Sequence, residues 1–337
     1  MHKNHYIPEG YESALSLKYT QQAIRTLKDC FQRQLSGALN ITRVSAPLFV
    51  RRDTGLNDDL NGVERKVVFD TPDSPGEEIQ VVQSLAKWKR DALGRYGYEP
   101  GEGIYTDMNA IRRDETTDNI HSIYVDQWDW EKVILREQRT MEYLFRTARK
   151  IHDAILESES VIFSRFPALR PQLPAELYCV TSEELLQRYP GTTAKQRENL
   201  IAKERGAVFI AQIGWPLSDG LRHDGRAPDY DDWNLNGDLI YWHPVLQCAL
   251  EISSMGIRVD SSAMFRQLRA ADALERMERP FHTAILEDKL PLTIGGGIGQ
   301  SRLCMLLLRK AHLAEVQVSV WPEEVRALFA EHGLPLL

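Results

Sequence analysis

The sequence predicts an α+β fold: a central, mostly antiparallel sheet flanked by helices. Two observations carry the prediction. Strand-like segments come in runs, at 63–69 and 78–84, at 103–111 and 122–126, and twice within 238–260. Helical segments are inserted between those runs and do not alternate with single strands as in a βαβ fold. No linker divides the chain, so residues 13–337 are expected to form a single domain behind a flexible N-terminal tail over residues 1–12.

Taken in order, the first element is a helix with Ile24, Leu27, Phe31 and Leu35 on one face and Gly37 as its C-cap. A strand over 39–50 follows. It contains Pro47, which cannot donate to a ladder and so marks an edge or a subunit contact. The strands at 63–69 and 78–84 bracket a turn-rich stretch, 70–76, and a short helix over 85–93 comes next. The strands at 103–111 and 122–126 flank a polar segment, 112–118. A long helix spans about 131–160, with Met141, Leu144, Phe145, Ala148, Ile151 and Ile155 at helical spacing, and Pro167, Pro171 and Pro174 end it. Thr181 and Glu184 read as a capping box, and two helices end near Pro190 and Gly206. An apolar strand covers 207–213, a polar loop covers 218–237, and the two strands of 238–260 break near His243-Pro244. A glycine loop and a last buried helix close the core.

Composition narrows the function classes. Acidic residues outnumber basic ones, 48 to 41, for a formal charge of −7 without a block of one sign. That opposes binding to nucleic acid, which needs a basic face. Cys30, Cys179, Cys248 and Cys304 are far apart and form no C-x-x-C pair; they read as reduced residues of a cytoplasmic protein. The N-terminus has no apolar h-region, and no apolar stretch reaches membrane-spanning length, so neither a signal peptide nor a membrane is expected.

The most telling stretch is Gly295-Gly-Gly-Ile-Gly-Gln-Ser-Arg302, which runs into Leu303-Cys-Met-Leu-Leu-Leu308. Each glycine loses much backbone freedom on folding, so a run of them marks a backbone that passes close to something. The stretch lacks the Gly-Lys-Ser/Thr of a P-loop and the third glycine of a dinucleotide fingerprint. It reads either as a tight turn before a core helix or as a ligand-approaching loop, with Arg302 in the first helical turn facing an anion.

Other polar constellations also have two readings. Arg112, Arg113 and Glu115 form either a solvated turn or an arginine fork for phosphate. In Tyr124-Val-Asp-Gln-Trp-Asp-Trp-Glu131, alternation puts Asp126 and Trp128 on one face and Gln127 and Asp129 on the other. That is either an exposed edge or a polar pocket with apolar walls. Lys87, Lys89 and Arg90 read as a basic surface face, with at most one of the two lysines entering a site. Asp58 and Asp59 lie in a turn-like Gly/Asn loop. Asp238 and Glu251, on paired strands, are either salt-bridge partners or hard-oxygen ligands suited to Mg2+. Arg258 closes the segment from Ser253 and is placed to anchor a carboxylate.

The order of these features resembles the three signature motifs of class II aminoacyl-tRNA synthetases: the Pro47 strand, the arginine–acid loop, the acid pair and the glycine stretch with Arg302. The segments 84–90, 124–131, 226–233, 253–260 and 295–302 are similar to those of the ammonia-dependent asparagine synthetases, the A-type aspartate–ammonia ligases, over about residues 15–337. The resemblance implies a class II synthetase-like catalytic core that forms β-aspartyl-AMP from L-aspartate and ATP and then transfers the aspartyl group to ammonia. It places Arg112 (with Arg113 as the alternative) on the α-phosphate. It places Glu115, His121, Ser122, Ile123, Ile252 and Gly297 around the nucleotide, Arg302 on the terminal phosphates or adenine, and Mg2+ on Asp238 and Glu251. Lys89 and Arg258 would take the α-carboxylate, and Asp129, Asp231 or Ser254 the α-ammonium, with Ser84 lining the same subsite. Asp58 and Gln127 would lie near the β-carboxyl, with Asp58 as the base that deprotonates ammonium. A homodimer is implied as well.

One departure stands out. Gln83 occupies the position before Ser84 where members of the family carry histidine. Rival functions fit less well. About 35 residues precede the first motif and about 30 follow the third, too few for an anticodon-binding domain. No cysteine precedes Cys30 to serve a glutaminase. An inactive synthetase-like binding protein would not need Arg112, Asp238, Glu251 and Arg302 together.

Overall fold

The structure is a computed structural model and describes residues 4–60 and 62–337. Helix α1, Leu17–Leu39, buries Ala23, Ile24, Leu27, Phe31 and Leu35 along one stripe. It runs past Gly37 and ends at Asn40, whose left-handed backbone (φ 56°) turns its N–H onto Ser36 O. Asparagine tolerates that conformation, so it closes the helix in place of the expected glycine. The predicted strand over 39–50 is two short ones, β1 (Ile41–Arg43) and β2 (Phe49–Arg51), and Pro47 lies in the link between them. Strands β3 (Val68–Thr71) and β4 (Ser74–Val81) pair as a hairpin with a turn tighter than the predicted 70–76, since 70–71 and 74–76 are already strand, and helix α2 (Ala86–Tyr96) follows.

Strand β5 covers Gly103–Ile111 as predicted, but its partner β6 runs from Tyr124 to Val133. The long helix α3 therefore starts at Met141, not near 131, and ends at Arg165. The reason is tertiary. Residues 127–132 have a ladder on each side and Val133 one with β11, and that pairing overrides a helical reading of 131–133. Thr140 caps α3 by accepting from Tyr143 N at 3.2 Å. Next come β7 (Tyr178–Thr181), α4 (Ser182–Arg188), α5 (Ala194–Arg205) and β8 (Ala207–Ala211). Thr181 and Glu184 form the expected capping box. The polar loop before β9 is shorter than predicted, because β9 already begins at Asp231 and runs to His243; β10 is Cys248–Arg258. Helices α6 (Ser261–Ala270) and α7 (Pro280–Leu286), strand β11 (Thr293–Gly299), and helices α8 (Gln300–Leu307) and α9 (Glu323–Glu331) complete the chain.

Eight strands form one sheet in the order β1-β5-β6-β11-β10-β9-β8-β7, and β2-β4-β3 form a second, smaller one. Only β1–β5 and β7–β8 pair in parallel; the rest of the large sheet is antiparallel, as the α+β reading requires. One face packs on α1 and α3 through Trp128 and Trp130, with Phe31 4.7 Å from the Trp128 ring. On the other face α2 covers Ile104, Met108 and Val133 through Leu85, Trp88 and Leu93.

Two expectations are corrected. The glycine stretch is a central strand, not a loop: Gly295, Gly296 and Gly297 oppose Glu131, Trp130 and Asp129 of β6 and Gly256, Met255 and Ser254 of β10. None of the three needs left-handed backbone. They are glycines because a Cβ at Gly295 would strike the Glu131 carboxylate, at Gly296 the Met255 Cβ, and at Gly297 the Gln127 amide. The N-terminal tail is also docked. His5 is buried with Nδ1 3.0 Å from His312 Nε2, and Tyr11 Oη donates to Glu315 at 2.9 Å. These polar groups have partners on the C-terminal segment, which the local sequence cannot show. Residues 1–3 lie outside the described residues.

Candidate active site

Strands β6, β10 and β11 and the loops at their ends enclose a cavity of about 290 Å3. Strand alternation aims Gln127 and Asp129 into it while Trp128 and Trp130 turn to the core. The glycines of β11 supply a floor without side chains, so neighbouring strands can project polar groups across it. Asp58, Ser84, Arg112, Glu115, His121, Ser122, Asp231, Glu251, Ile252, Ser254, Arg258, Gly297 and Arg302 line it as well.

At one end lies a network of opposite charges. Arg258 Nε and Nη2 donate to Glu131 at 2.9 and 2.7 Å, and its Nη1 is hydrogen-bonded to Asp231. Lys89 bonds Asp129 and donates to Trp130 O at 2.9 Å and Gly296 O at 3.3 Å. Burial pushes the Asp129 and Asp231 carboxyls up, against the pull of Lys89 and Arg258 respectively. Burial also works to raise Glu131, but Arg258 and Lys89 outweigh it and hold this carboxyl below its ordinary range.

Helix α2 carries the cations of this end into the interior. Lys87, Lys89 and Arg90 are all buried, which corrects the expected surface face. Each is compensated: Lys87 by Asp229 at 2.8 Å, Lys89 as above, and Arg90 by the carbonyls of Val259 (2.7 Å) and Pro291 (2.9 Å). Burial draws the Arg90 pKa down to about 10.

The other end is built on the loop before β6 and on α8. Arg112 lines the cavity, whereas Arg113 is exposed and does not. Among the described residues Arg112 has no ion pair within 4 Å, and its Nε is buried without a partner. Arg302 is only partly buried and donates to Ile120 O (3.2 Å) and Glu251 O (3.1 Å). His121 is 2.9 Å from Asp118, and Ser122 Oγ accepts from Tyr124 N at 3.2 Å.

Three predicted site residues do not line the cavity. Lys89 is wholly buried, and its ammonium is spent on Asp129 and two carbonyls, so it is not free to take a carboxylate. Ile123 contributes only its carbonyl, which accepts from Arg112 N at 2.9 Å. Asp238 lies opposite Ser254 across the β9–β10 ladder with one oxygen on Arg226, while its Oδ1 is buried without a partner. Burial, opposed by Arg226 and reinforced by Glu251, raises its pKa to about 7.

The structure also places residues to which no site role was assigned. Tyr230 and Gln317 line the cavity. Asp126 accepts from Ser301 N (3.1 Å) and Oγ (2.8 Å), seating the start of α8. Asn119 takes both backbone groups of Tyr6, at 3.0 and 2.7 Å, and so fastens the N-terminal segment to the His121 loop. Asp126 was already marked on the 124–131 segment and Asn119 lies one residue past the polar segment 112–118, whereas Gln317 carried no local signal.

The fold is that of a class II aminoacyl-tRNA synthetase catalytic core. Asparaginyl-tRNA synthetase from Pyrococcus horikoshii, solved with asparaginyl-adenylate, superposes with a TM-score of 0.65 over 91% of this chain and 70% of its own, at 14% identity. The Entamoeba histolytica asparaginyl-tRNA synthetase with the same adenylate gives 0.63 over 89% and 66%, also at 14% identity. Similarity in sequence is narrower. The family model Aspartate-ammonia ligase matches residues 18–333. Aspartate–ammonia ligases of Clostridium perfringens and Bacillus mycoides are 56% and 57% identical, covering 98% and 97% of this chain and 99% of each relative. The chain belongs to the aspartate–ammonia ligase family.

Proposed function

We propose that this protein makes L-asparagine from L-aspartate, ammonia and ATP through β-aspartyl-AMP, releasing pyrophosphate and AMP. The observation that carries this reading is Arg112. Among the described residues it is a cavity arginine without an ion pair, beside Lys89 and Arg258, which are matched by carboxylates. A guanidinium held that way awaits an anion.

Aspartate offers an α-carboxylate to Arg258 and an α-ammonium to Asp129, Asp231 or Ser254. Its arrival exchanges internal ion pairs for equivalent ones to the ligand, which limits the desolvation cost. Lys89 keeps Asp129 oriented from behind. The β-carboxyl is left toward Asp58, Gln127 and Arg112. One β-carboxylate oxygen attacks the α-phosphorus, an O–P bond forms, and the bond to pyrophosphate breaks. Arg112 neutralises the charge that grows on the α-phosphate. Glu115, His121, Ser122, Ile252 and Gly297 flank the nucleotide, and Arg302 meets its phosphates or adenine. Asp58 then takes a proton from ammonium, and the freed ammonia attacks the β-carbonyl. The C–N bond forms, the C–O bond to AMP breaks, and the second nitrogen proton leaves to solvent.

Asp238 and Glu251 fit magnesium, for Asp238 keeps an unpartnered buried oxygen beside the half-exposed Glu251 carboxylate. When bound, magnesium would supply positive charge that offsets the phosphates. Among the described residues no group of three or more His, Cys, Asp or Glu is placed to hold a metal ion. Phosphates and water would complete the shell.

We also take residues 13–337 as one catalytic domain, acting as a cytoplasmic homodimer without nucleic acid. The net charge of −7 and the exposed Leu48 and Phe49 next to Pro47 support the partner assignments. Among the described residues no helix is long and apolar enough to cross a membrane.

Aspartate-dependent exchange of pyrophosphate into ATP, with asparagine quantified with and without ammonium, tests the reaction. Exchange without ammonium and asparagine only with it is the expected result; asparagine without AMP release would overturn the adenylate route.

A further inference from the structure

Asp58 lines the active cavity, whereas Asn57 and Asp59 on either side of it line a second, larger cavity of about 940 Å3. The wall between the two cavities is polar. Asn57, Asp58, Gln80 and Gln83 are each at most 5% exposed. Asn57 is spent on this wall: its Oδ1 accepts from Asp58 N and Gln83 N at 2.9 Å, and its Nδ2 reaches Gln80 and Val81 O at 3.2 Å. Behind Asp58 sits Asp229, fully buried, with Lys87 at 2.8 Å and His282 Nε2 at 3.0 Å. Arg276, which lines the second cavity, reaches the same Asp229 carboxylate at 3.5 Å.

In this layer unmet acceptors outnumber unmet donors. Asp58 Oδ2, Asp229 Oδ1, Gln83 Oε1 and His282 Nδ1 are buried without a partner, against the donors Gln83 Nε2 and Arg276 Nε. With the His282 Nε2 proton on Asp229, its Nδ1 presents a lone pair. Buried acceptors left empty are costly, and a concentration of them points to a small donor that comes and goes. Ammonium is such a donor: four N–H groups, one charge and the size of a water molecule.

We infer that the second cavity is the ammonium vestibule, and that the Asn57–Asp58–Gln83–Asp229 wall passes ammonium to the reacting carbonyl. This rests on the proposed reaction and extends it. In that reaction the adenylate fills the active cavity from the Arg302 end, so the third substrate needs another door. The vestibule does not collect anions. Its carboxylates Asp53, Asp59, Glu77 and Glu78 occupy the cations Arg51, Arg52, Lys66 and Arg279. Gln83 then has a role: a neutral amide offers an acceptor here at every pH.

Two variants test the route, each read by ammonium-dependent asparagine formation beside pyrophosphate exchange measured without ammonium. Gln83→Leu removes an unpartnered amide at similar volume, so the fold is retained. Val68→Trp adds bulk at a half-exposed position on the outer cavity, away from both substrates. Both are expected to lower kcat/KM for ammonium roughly fivefold or more while exchange and thermal midpoint stay within about twofold and ~2 °C of the parent. Unchanged kcat/KM for ammonium in both variants would overturn the route and leave the wall merely hydrated. Absence of exchange in the parent protein would instead count against the reaction itself.

Discussion

Arg258 and Glu131 form a two-point ion pair, Nε to Oε1 at 2.9 Å and Nη2 to Oε2 at 2.7 Å, with side chains 3% and 0% exposed. Thr293 Oγ1 adds a third donor to the same carboxylate at 2.7 Å. Two charges taken from water gain little net stability, so the value of the pair is position. It fixes the guanidinium plane and leaves Nη1 turned to Asp231 at the cavity wall.

The pair exists because Gly295 has no Cβ. Gly295→Ala would push into the Glu131 carboxylate and Arg258 Nη2 from a central strand that cannot move aside. We expect a loss of about 3–5 kcal/mol, the cost of breaking a buried pair, read as a shift of the urea midpoint at constant slope.

Adjacent arginines are predicted to behave differently. Arg112→Ala should reduce pyrophosphate exchange by roughly 10²–10³-fold, the range for removing one donor from a developing negative charge. Arg113→Ala, at an exposed position outside the cavity, should leave it within about twofold. Equal effects would remove Arg112 from its assigned place.

Asp58→Asn separates the two half-reactions. Pyrophosphate exchange should persist, while asparagine formation at neutral pH falls roughly 10²-fold or more, as for loss of a general base. Burial, opposed by Lys87, raises the Asp58 carboxyl. Ammonium-dependent turnover should accordingly fall away on acidification at a higher pH than an ordinary carboxylate would give.

His243 is predicted to make stability sensitive to acid. Burial draws its pKa down to about 4, its Nδ1 accepts from Leu246 N at 3.1 Å, and its Nε2 has no partner. A histidine depressed in the folded state stays neutral there while the unfolded chain takes up a proton below about 6.5. Its contribution is therefore complete above that value and lost as pH falls toward 4. Between pH 7 and pH 5 the parent should lose about 2 kcal/mol relative to His243→Asn, measured by denaturant unfolding at both pH values.

The fold was legible wherever a segment's own pattern decides its conformation. The stripe on α1, the bounds of β5, the Thr181–Glu184 capping box and the antiparallel runs all follow from local spacing and propensity. Most of the site was legible too, because its residue types cluster in a few motifs. Arg112, Gln127, Asp129, Arg258 and Arg302, drawn from separate motifs, line one cavity.

What the sequence by itself determined is therefore the class of fold and the cast of charged residues. The tertiary structure decided which charges face the cavity and which are consumed inside the protein. Lys89 carries the same residue type as a true cavity group, yet it is saturated from three directions. Likewise Gly295–Gly297 are a strand because Glu131, Met255 and Gln127, which lie far away in sequence, occupy the space their side chains would need. Spacing along a chain sets which way a side chain leaves the backbone. Only the packing of distant strands sets what it meets, and a buried charge takes its role from what it meets.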